Sequence, residues 1–244
     1  MSESDWITPR WAVHERVRSL ITKRTGGVSN APWASLNLGT HVGDDPAHVA
    51  QNRARVLAHL PAEPLWLTQV HGTRVVEHGP GIVGGIEADA AVSRAPDQVL
   101  AIMTADCLPV LLADGSGEAV GIAHAGWRGL ADGVIENTVR AMAVPPERMF
   151  AYLGPAIGPQ AYEVGEDVRA VFIAHDAAAS GAFVARGGGK YHANLYLLAR
   201  MRLRALGIDR IEGGDRCTLR ESADFFSYRR DRVTGRMASF IWME

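Results

Sequence analysis

Three side chains stand out by type and placement. His71 follows an apolar run in Gln69-Val70-His71-Gly72, and His124 ends another in Gly121-Ile122-Ala123-His124. Cys107 lies between them in Thr104-Ala105-Asp106-Cys107-Leu108-Pro109, a polar break within a long apolar stretch. Imidazole and thiolate are ligand types that zinc prefers. Three protein ligands leave one tetrahedral position open, as catalytic zinc sites do. No two of the three are close in sequence, so a local ligand hairpin is absent. Two other uses of the same residues stay open: a buried structural thiol beside two hydrogen-bonded histidines, or a Cys107 nucleophile with His124 as its base. Metal ligation and free nucleophilicity are exclusive uses of one sulfur.

Neighbouring residues extend the chemistry. Gly126 opens an expected helix whose first N–H groups suit an anion or a nearby thiolate. Arg128 falls in its first turn, where a cation opposes the helix dipole unless an anion is bound. The plain alternative is solvent or a carboxylate partner. After Asp45-Pro46, Val49, Val56 and Leu60 form an apolar stripe, and Arg53 lies within it. An inward guanidinium wants a carboxylate or a phosphate, because a buried unpaired charge is costly. The other histidines, His14, His41, His48, His59, His78, His175 and His192, read as surface residues. Gly187-Gly188-Gly189-Lys190 is followed by Tyr191 rather than Ser or Thr, and reads as a turn. Neither a nucleobase-deaminase zinc motif nor a Gly-x-Ser-x-Gly elbow occurs.

Short apolar segments must position these groups. Strands are expected at Arg18 to Arg24, Leu65 to Val70 and Thr73 to Glu77, the last two paired. Four more are expected at Ala88 to Val92, Val99 to Thr104, Leu108 to Leu112 and Ala119 to Ala123. Phe150 to Leu153 adds another, and Ser239 to Trp242 is expected to close a sheet. Helices are expected from Pro46 to about Leu60, from about Trp127 to Met142, at Glu166 to His175 and at Asn194 to Leu206. Strands crowd between residues 65 and 123 instead of alternating with helices. That pattern argues for α+β, with mixed sheets and outer helices, over a doubly wound parallel sheet.

Composition narrows the class. The 244 residues allow one or two domains, and no linker interrupts them, so 1–244 is expected to be a single domain. The 47% apolar and 21% charged content argues against disorder and coiled coil. A net charge of −2 gives no electrostatic footprint for nucleic acid. Two cysteines make no disulfide framework. Met1 to Trp11 lacks a signal-peptide core, and Asp106 and Asp114 interrupt the most apolar stretch, so a soluble cytoplasmic protein without a membrane partner is expected.

The motifs together resemble one family. Thr25-Gly26-Gly27-Val28-Ser29, Ser35-Leu36-Asn37-Leu38, Asn52-Arg53, Gln69 to Gly72, Thr104 to Leu111, His124 to Gly129, Gly154 to Gly158, Tyr162-Glu163-Val164, Phe225 to Arg229 and Thr234-Gly235-Arg236 occur in the order of the YfiH family. This family is also called the laccase-domain or polyphenol-oxidase family, and the resemblance runs nearly end to end. It implies a single α+β unit similar to cysteine-hydrolase domains of some bacterial toxins. It implies zinc held by His71, Cys107 and His124; by ligand chemistry the same site also suits copper in place of zinc. The activity it implies is purine nucleoside phosphorolysis on adenosine, inosine or 5′-methylthioadenosine, with adenosine deamination beside it. The partners would then be a nucleoside and phosphate, with no protein partner. Within that frame Asn37, Arg53 and Arg128 are assigned to phosphate or ribose. Asp106 joins the catalytic set as a proton carrier or as support for its neighbour Cys107.

The chain departs from the family pattern in places. Ala156, Gln160 and Ala161 stand where cysteines are common, and Asn194-Leu195 replaces an Asp-Leu pair. Neither change touches the proposed triad. A copper-dependent phenol oxidase is a competing reading, but nine histidines without a His-x-His pair are poor material for a multicopper cluster. Other readings are a Cys107 or zinc amide hydrolase editing peptidoglycan precursors, and a metal-dependent binding module.

Overall fold

The computed structural model describes residues 6–244. In chain order it forms β1 (Trp6–Ile7), β2 (Val17–Thr22), α1 (Pro46–Leu57), β3 (Leu65–Trp66), β4 (Val75–Glu77), β5 (Ala90–Ser93), β6 (Leu100–Thr104), β7 (Leu108–Asp114) and β8 (Val120–Ala125). There follow α2 (Trp127–Asp132), α3 (Val134–Met142), β9 (Met149–Leu153), β10 (Glu163–Gly165), α4 (Glu166–His175), β11 (Phe183–Gly187), β12 (Lys190–Ala193), α5 (Leu195–Ala205), β13 (Arg210–Gly213), α6 (Tyr228–Asp231) and β14 (Met237–Met243).

Two mixed sheets carry the fold, so the α+β expectation holds. One has the order β1-β2-β14-β6-β3 and is antiparallel except where β3 meets β6. The other has the order β13-β9-β7-β8-β5-β4 and is parallel only at its two outer pairs. A third, antiparallel sheet, β10-β12-β11, is small.

The two large sheets pack face to face, and helices cover their outer faces. Leu100 and Ile102 of β6 meet Val120 and Ile122 of β8 in the layer between the sheets, with Leu111 of β7 and Ile241 of β14. The alternate residues Ala101 and Met103 turn outward to α1 and Val56. On the far side of the six-stranded sheet, Val110 and Leu112 meet Val134 and Ile135 of α3 and Leu198 and Leu203 of α5. Strands buried on both faces lose polar alternation, which is why these segments read as near-continuous apolar runs. Each fully buried Leu or Ile in this stack contributes about 1.5–3 kcal/mol of transfer free energy.

Several expected elements need correction. The expected pair from Leu65 to Glu77 does not form: β3 lies in the five-stranded sheet and β4 at the edge of the other. Between them the chain crosses from sheet to sheet, and its backbone pairing is replaced by side chains. Gln69 accepts from Met103 N–H and donates to Met103 O, each at 2.8 Å, standing in for a strand neighbour of β6. The helix expected from Trp127 to Met142 breaks at Gly133, whose φ of 97° ends α2 in a left-handed cap. β14 does not close a sheet at its edge. It runs between β2 and β6, buried along its whole length. Gly187-Gly188-Gly189 forms the turn of the β11–β12 hairpin with positive φ throughout, as its composition implies.

Candidate metal centre and its cleft

Strand register assembles the site. In the β7–β8 ladder Leu108 faces Ala125 and Pro109 faces His124, so Cys107, just before β7, comes beside the end of β8. On the other side of β8, Ala90 of β5 faces Ala123, which brings Asp89 to His124. Asp89 N–H also donates to Arg74 O at the entry to β4, and this ties in the crossing segment that carries His71. The result is one ligand-capable atom from each of His71, Cys107 and His124, all within 4.8 Å of one another. The Cys107 sulfur lies 3.7 Å from His71 Nε2, and the two imidazoles meet edge to face with centroids 4.7 Å apart.

Asp89 organises this group. It is fully buried. Its Oδ1 accepts from His71 N–H at 2.9 Å and pairs with His124 Nδ1 at 2.8 Å. Its Oδ2 accepts from Val70 N–H at 3.1 Å and Gly72 N–H at 2.7 Å. Three successive N–H groups converging on one carboxylate hold His71 at φ 63°, a left-handed conformation that a non-glycine residue adopts only when its surroundings enforce it. With Nδ1 of His124 donating to Asp89, Nε2 is left free to bind a metal. Sequence reasoning missed Asp89. The available signal was an acid in Glu87-Ala88-Asp89-Ala90-Ala91-Val92, immediately before an apolar strand.

The electrostatics follow from the same contacts. Burial alone would push the Cys107 thiol up, but the charge and hydrogen bonds of His124 and His71 outweigh it and bring it to about 6. Burial would push His124 down, but Cys107 and Asp89 raise it to about 9. In the metal-free protein, thiolate and imidazolium thus face each other near neutral pH. Burial would also raise the Asp89 carboxyl; its bonds from His124, Gly72 and Val70 hold it below the ordinary range.

The donor set fits a metal. A thiolate and two imidazoles are a borderline-soft combination suited to zinc or copper. Gly126 keeps the point of convergence open: a Cβ there would meet His71 Cδ2 at 2.9 Å, the Cys107 sulfur at 3.0 Å and His124 Nε2 at 3.7 Å. The triad opens into a cleft of about 690 Å³, bordered also by Trp66, Arg53, Arg236, His41 and Tyr228. That size suits a small organic ligand. Among the described residues this is the one group of three or more metal-capable side chains.

Residues 18–244 match the family model described as multi-copper polyphenol oxidoreductase laccase. The chain belongs to this family. It is 52% identical to the purine nucleoside phosphorylase YfiH of Escherichia coli, over 98% of this chain and 99% of the relative. It is 51% identical to a purine nucleoside phosphorylase of Pseudomonas aeruginosa, with 98% of each chain covered. Among solved structures, a Neisseria meningitidis protein superimposes with a TM-score of 0.95 at 50% identity, over 98% of this chain and 99% of that one. A Bacillus licheniformis protein titled hypothetical protein YfiH gives 0.88 at 33% identity, with 93% of each chain covered.

In this laccase-domain protein the remaining sequence assignments land in different places. Arg53 reaches the cleft, stacks on Trp66 with its guanidinium carbon 4.0 Å from the ring centroid, and donates to Leu38 O at 3.0 Å. Its stripe position does turn it inward, but it meets no carboxylate, and burial lowers its pKa. Arg128 is exposed, lies over its neighbour Trp127 and does not line the cleft. Asn37 does not line the cleft. It is fully buried and its amide is consumed internally, accepting from Gly39 and Arg236 N–H and donating to Gly39 O and Asp44 Oδ2. Asp106 does not line the cleft either. Its carboxylate accepts from Thr218 Oγ1 at 2.6 Å, Ser227 Oγ at 3.0 Å and Arg229 N–H at 2.6 Å. It therefore fixes the turn before Cys107, where its own φ is 90°, rather than facing the cleft. His41, read as a surface residue, borders the cleft, and so does Arg236.

Proposed function

We propose that the chain is a zinc-dependent purine nucleoside phosphorylase, converting adenosine, inosine or 5′-methylthioadenosine and phosphate to free base and sugar 1-phosphate, with adenosine deamination as an additional activity. The observation that carries this reading is the convergence of His71, Cys107 and His124 within 4.8 Å at the wall of a nucleoside-sized cleft. The names of the relatives at about half identity support it.

Zinc held by these three residues would supply a Lewis acid and positive charge beside the reacting oxygen. The chain's own groups do the rest. Asp89 keeps His124 in the ligating tautomer and locks the His71 turn. Arg53, lacking a carboxylate partner, presents positive charge to phosphate or ribose. In the reaction a phosphate oxygen bonds to C1′ as the glycosidic C–N bond breaks. The electron pair stays on the base nitrogen, and the proton released by monobasic phosphate ends on the base.

The direct test is chromatography of inosine and adenosine incubated with and without phosphate, together with metal analysis of protein purified without added metal. Phosphate-dependent base release with bound zinc supports the reading. Base release independent of phosphate would mean hydrolysis. Cys107→Ala should lose both metal and turnover, because two imidazoles alone make a poor site; turnover that survives without metal refutes the zinc assignment. The copper-oxidase reading meets a single group of metal-capable residues among those described, too few for several coppers.

A second reading has its own observation. Cys107, His124 and Asp89 form a chain of thiol, base and orienting carboxylate, the order of a cysteine hydrolase. It predicts amide hydrolysis that persists when metal is removed and stops when Cys107 is alkylated.

A further inference from the structure

The cleft wall carries positive charge that nothing in the described fold neutralises. Arg53 donates only to Leu38 O and, at 3.9 Å, to the Met103 sulfur. Arg236 donates from its guanidinium only to Thr234 O and Gly235 O. His41 lies at the mouth, and the two arginines' charges, after burial, push its pKa down. Among the described residues none of the three forms an ion pair with a carboxylate, whereas arginines elsewhere in the molecule, such as Arg202 and Arg216, do. The nearest acids are otherwise engaged. Glu63 accepts from Trp66 Nε1, and Asp106 is saturated by Thr218, Ser227 and Arg229. Burial lowers the pKa of both arginines. Guanidinium groups drawn out of water and left unpaired are costly unless an anion completes them.

Their placement is built in. Gly39 lets Arg236 lie against the chain: a Cβ at that position would meet Arg236 Cγ at 2.9 Å. Asn37, the residue first assigned to substrate, instead holds Arg236 in place by accepting its backbone N–H at 2.9 Å. Trp66 fixes the plane of the Arg53 guanidinium. Planar forks with free N–H groups match the paired oxygens of a tetrahedral oxyanion.

We propose that Arg53, Arg236 and His41 form an oxyanion subsite that binds inorganic phosphate beside the triad. The inference rests on the phosphorylase reading for its occupant and deepens it, since it assigns the co-substrate to residues outside the metal ligands. Arg53, Arg236 and His41 line the same cleft as His71, Cys107 and His124, so phosphate held there shares the cleft with the triad. The nucleoside is left the remainder of the cleft.

Calorimetric titration of the purified, metal-containing protein with inorganic phosphate, in parallel with phosphate and inosine kinetics, tests this. Arg236→Gln and His41→Ala are each expected to raise the phosphate KM by about tenfold or more, as loss of a charge-assisted contact requires. The inosine KM and metal content should stay near wild type, and Arg236→Lys should recover part of the phosphate affinity. His41 makes no hydrogen bond that the fold needs, so His41→Ala keeps the test valid if Arg236→Gln fails to fold. Unchanged phosphate binding in both His41→Ala and Arg236→Gln overturns the subsite. Phosphate that binds the wild type, fails to bind the variants and yet supports no phosphorolysis leaves the subsite standing and defeats the phosphorylase reading instead.

Discussion

Asp89→Asn is the sharpest perturbation of the proposed site, because it changes one atom and leaves volume unchanged. Asp89 takes four hydrogen bonds, two on each oxygen. An asparagine offers an oxygen to only one side and an NH2 to the other. If the oxygen serves Val70 and Gly72, the NH2 opposes His71 N–H and donates to His124 Nδ1. That places the His124 proton on Nε2, the wrong tautomer for a ligand. If the oxygen serves His71 and His124, two backbone N–H groups are orphaned. Two bonds to a charged acceptor are lost either way, at about 1.5–3 kcal/mol each, so about 3 kcal/mol is the expected loss of stability after relaxation. For a chain of this length that is roughly 6–12 °C of thermal midpoint. Zinc affinity should fall about 10–100-fold, the usual effect of losing a ligand's hydrogen-bond partner. The assays are thermal unfolding of metal-free protein and zinc competition against a chromogenic chelator. Their pH dependence has a definite sign. The Asp89 pKa is depressed in the fold, so its contribution is fully present above about pH 4, the unfolded carboxylate range, and is lost as pH falls through the lower folded value. The gap between wild type and variant should therefore close in acid. A variant with wild-type zinc affinity and an unchanged midpoint at pH 7 would refute the role given to Asp89.

Gly126→Ala places a methyl among His71, Cys107 and His124, and these side-chain ends can yield; metal affinity should fall at least about tenfold with metal-free stability little changed, and equal chelator competition by both proteins counts against the site. In metal-free protein the alkylation rate of Cys107 by iodoacetamide should rise through a midpoint near pH 6, since the thiol sits at about 6; a midpoint above 8 contradicts the pairing with His124. Tyr196→Phe removes a buried hydroxyl that donates to Arg216 O at 2.7 Å and accepts from Ala156 N–H at 2.8 Å, leaving both unpaired; urea unfolding should show a loss of about 2–4 kcal/mol, and a value within experimental error of zero rejects that accounting.

Chemical type and strand ends were legible in the sequence. His71, Cys107 and His124 could be picked out because each interrupts or terminates an apolar run; the runs beside Cys107 and His124 become strands buried on both faces, whereas the run before His71 forms only the two-residue β3. The inward turn of Arg53 was legible for a similar reason, since the apolar stripe of α1 fixes which side faces the core. What faces what was not. Asp89 reaches His124 only because β5 pairs with β8 in one register. A one-residue slip would turn every side chain of that strand to the opposite face, and nothing local records the register. For Asn37 and Asp106 the sequence left the role open, because polar residues inside family motifs look alike whether they meet substrate or brace a turn; the structure surrounds both with internal hydrogen bonds. His41 and Arg236 stand nearly two hundred residues apart and line one cleft, the Arg236 backbone being hydrogen-bonded to Asn37 and Leu38. Residue identity and periodicity are local and are written in the chain. Convergence depends on long-range register and on which buried charge finds a partner, and those are settled only when the whole chain has packed.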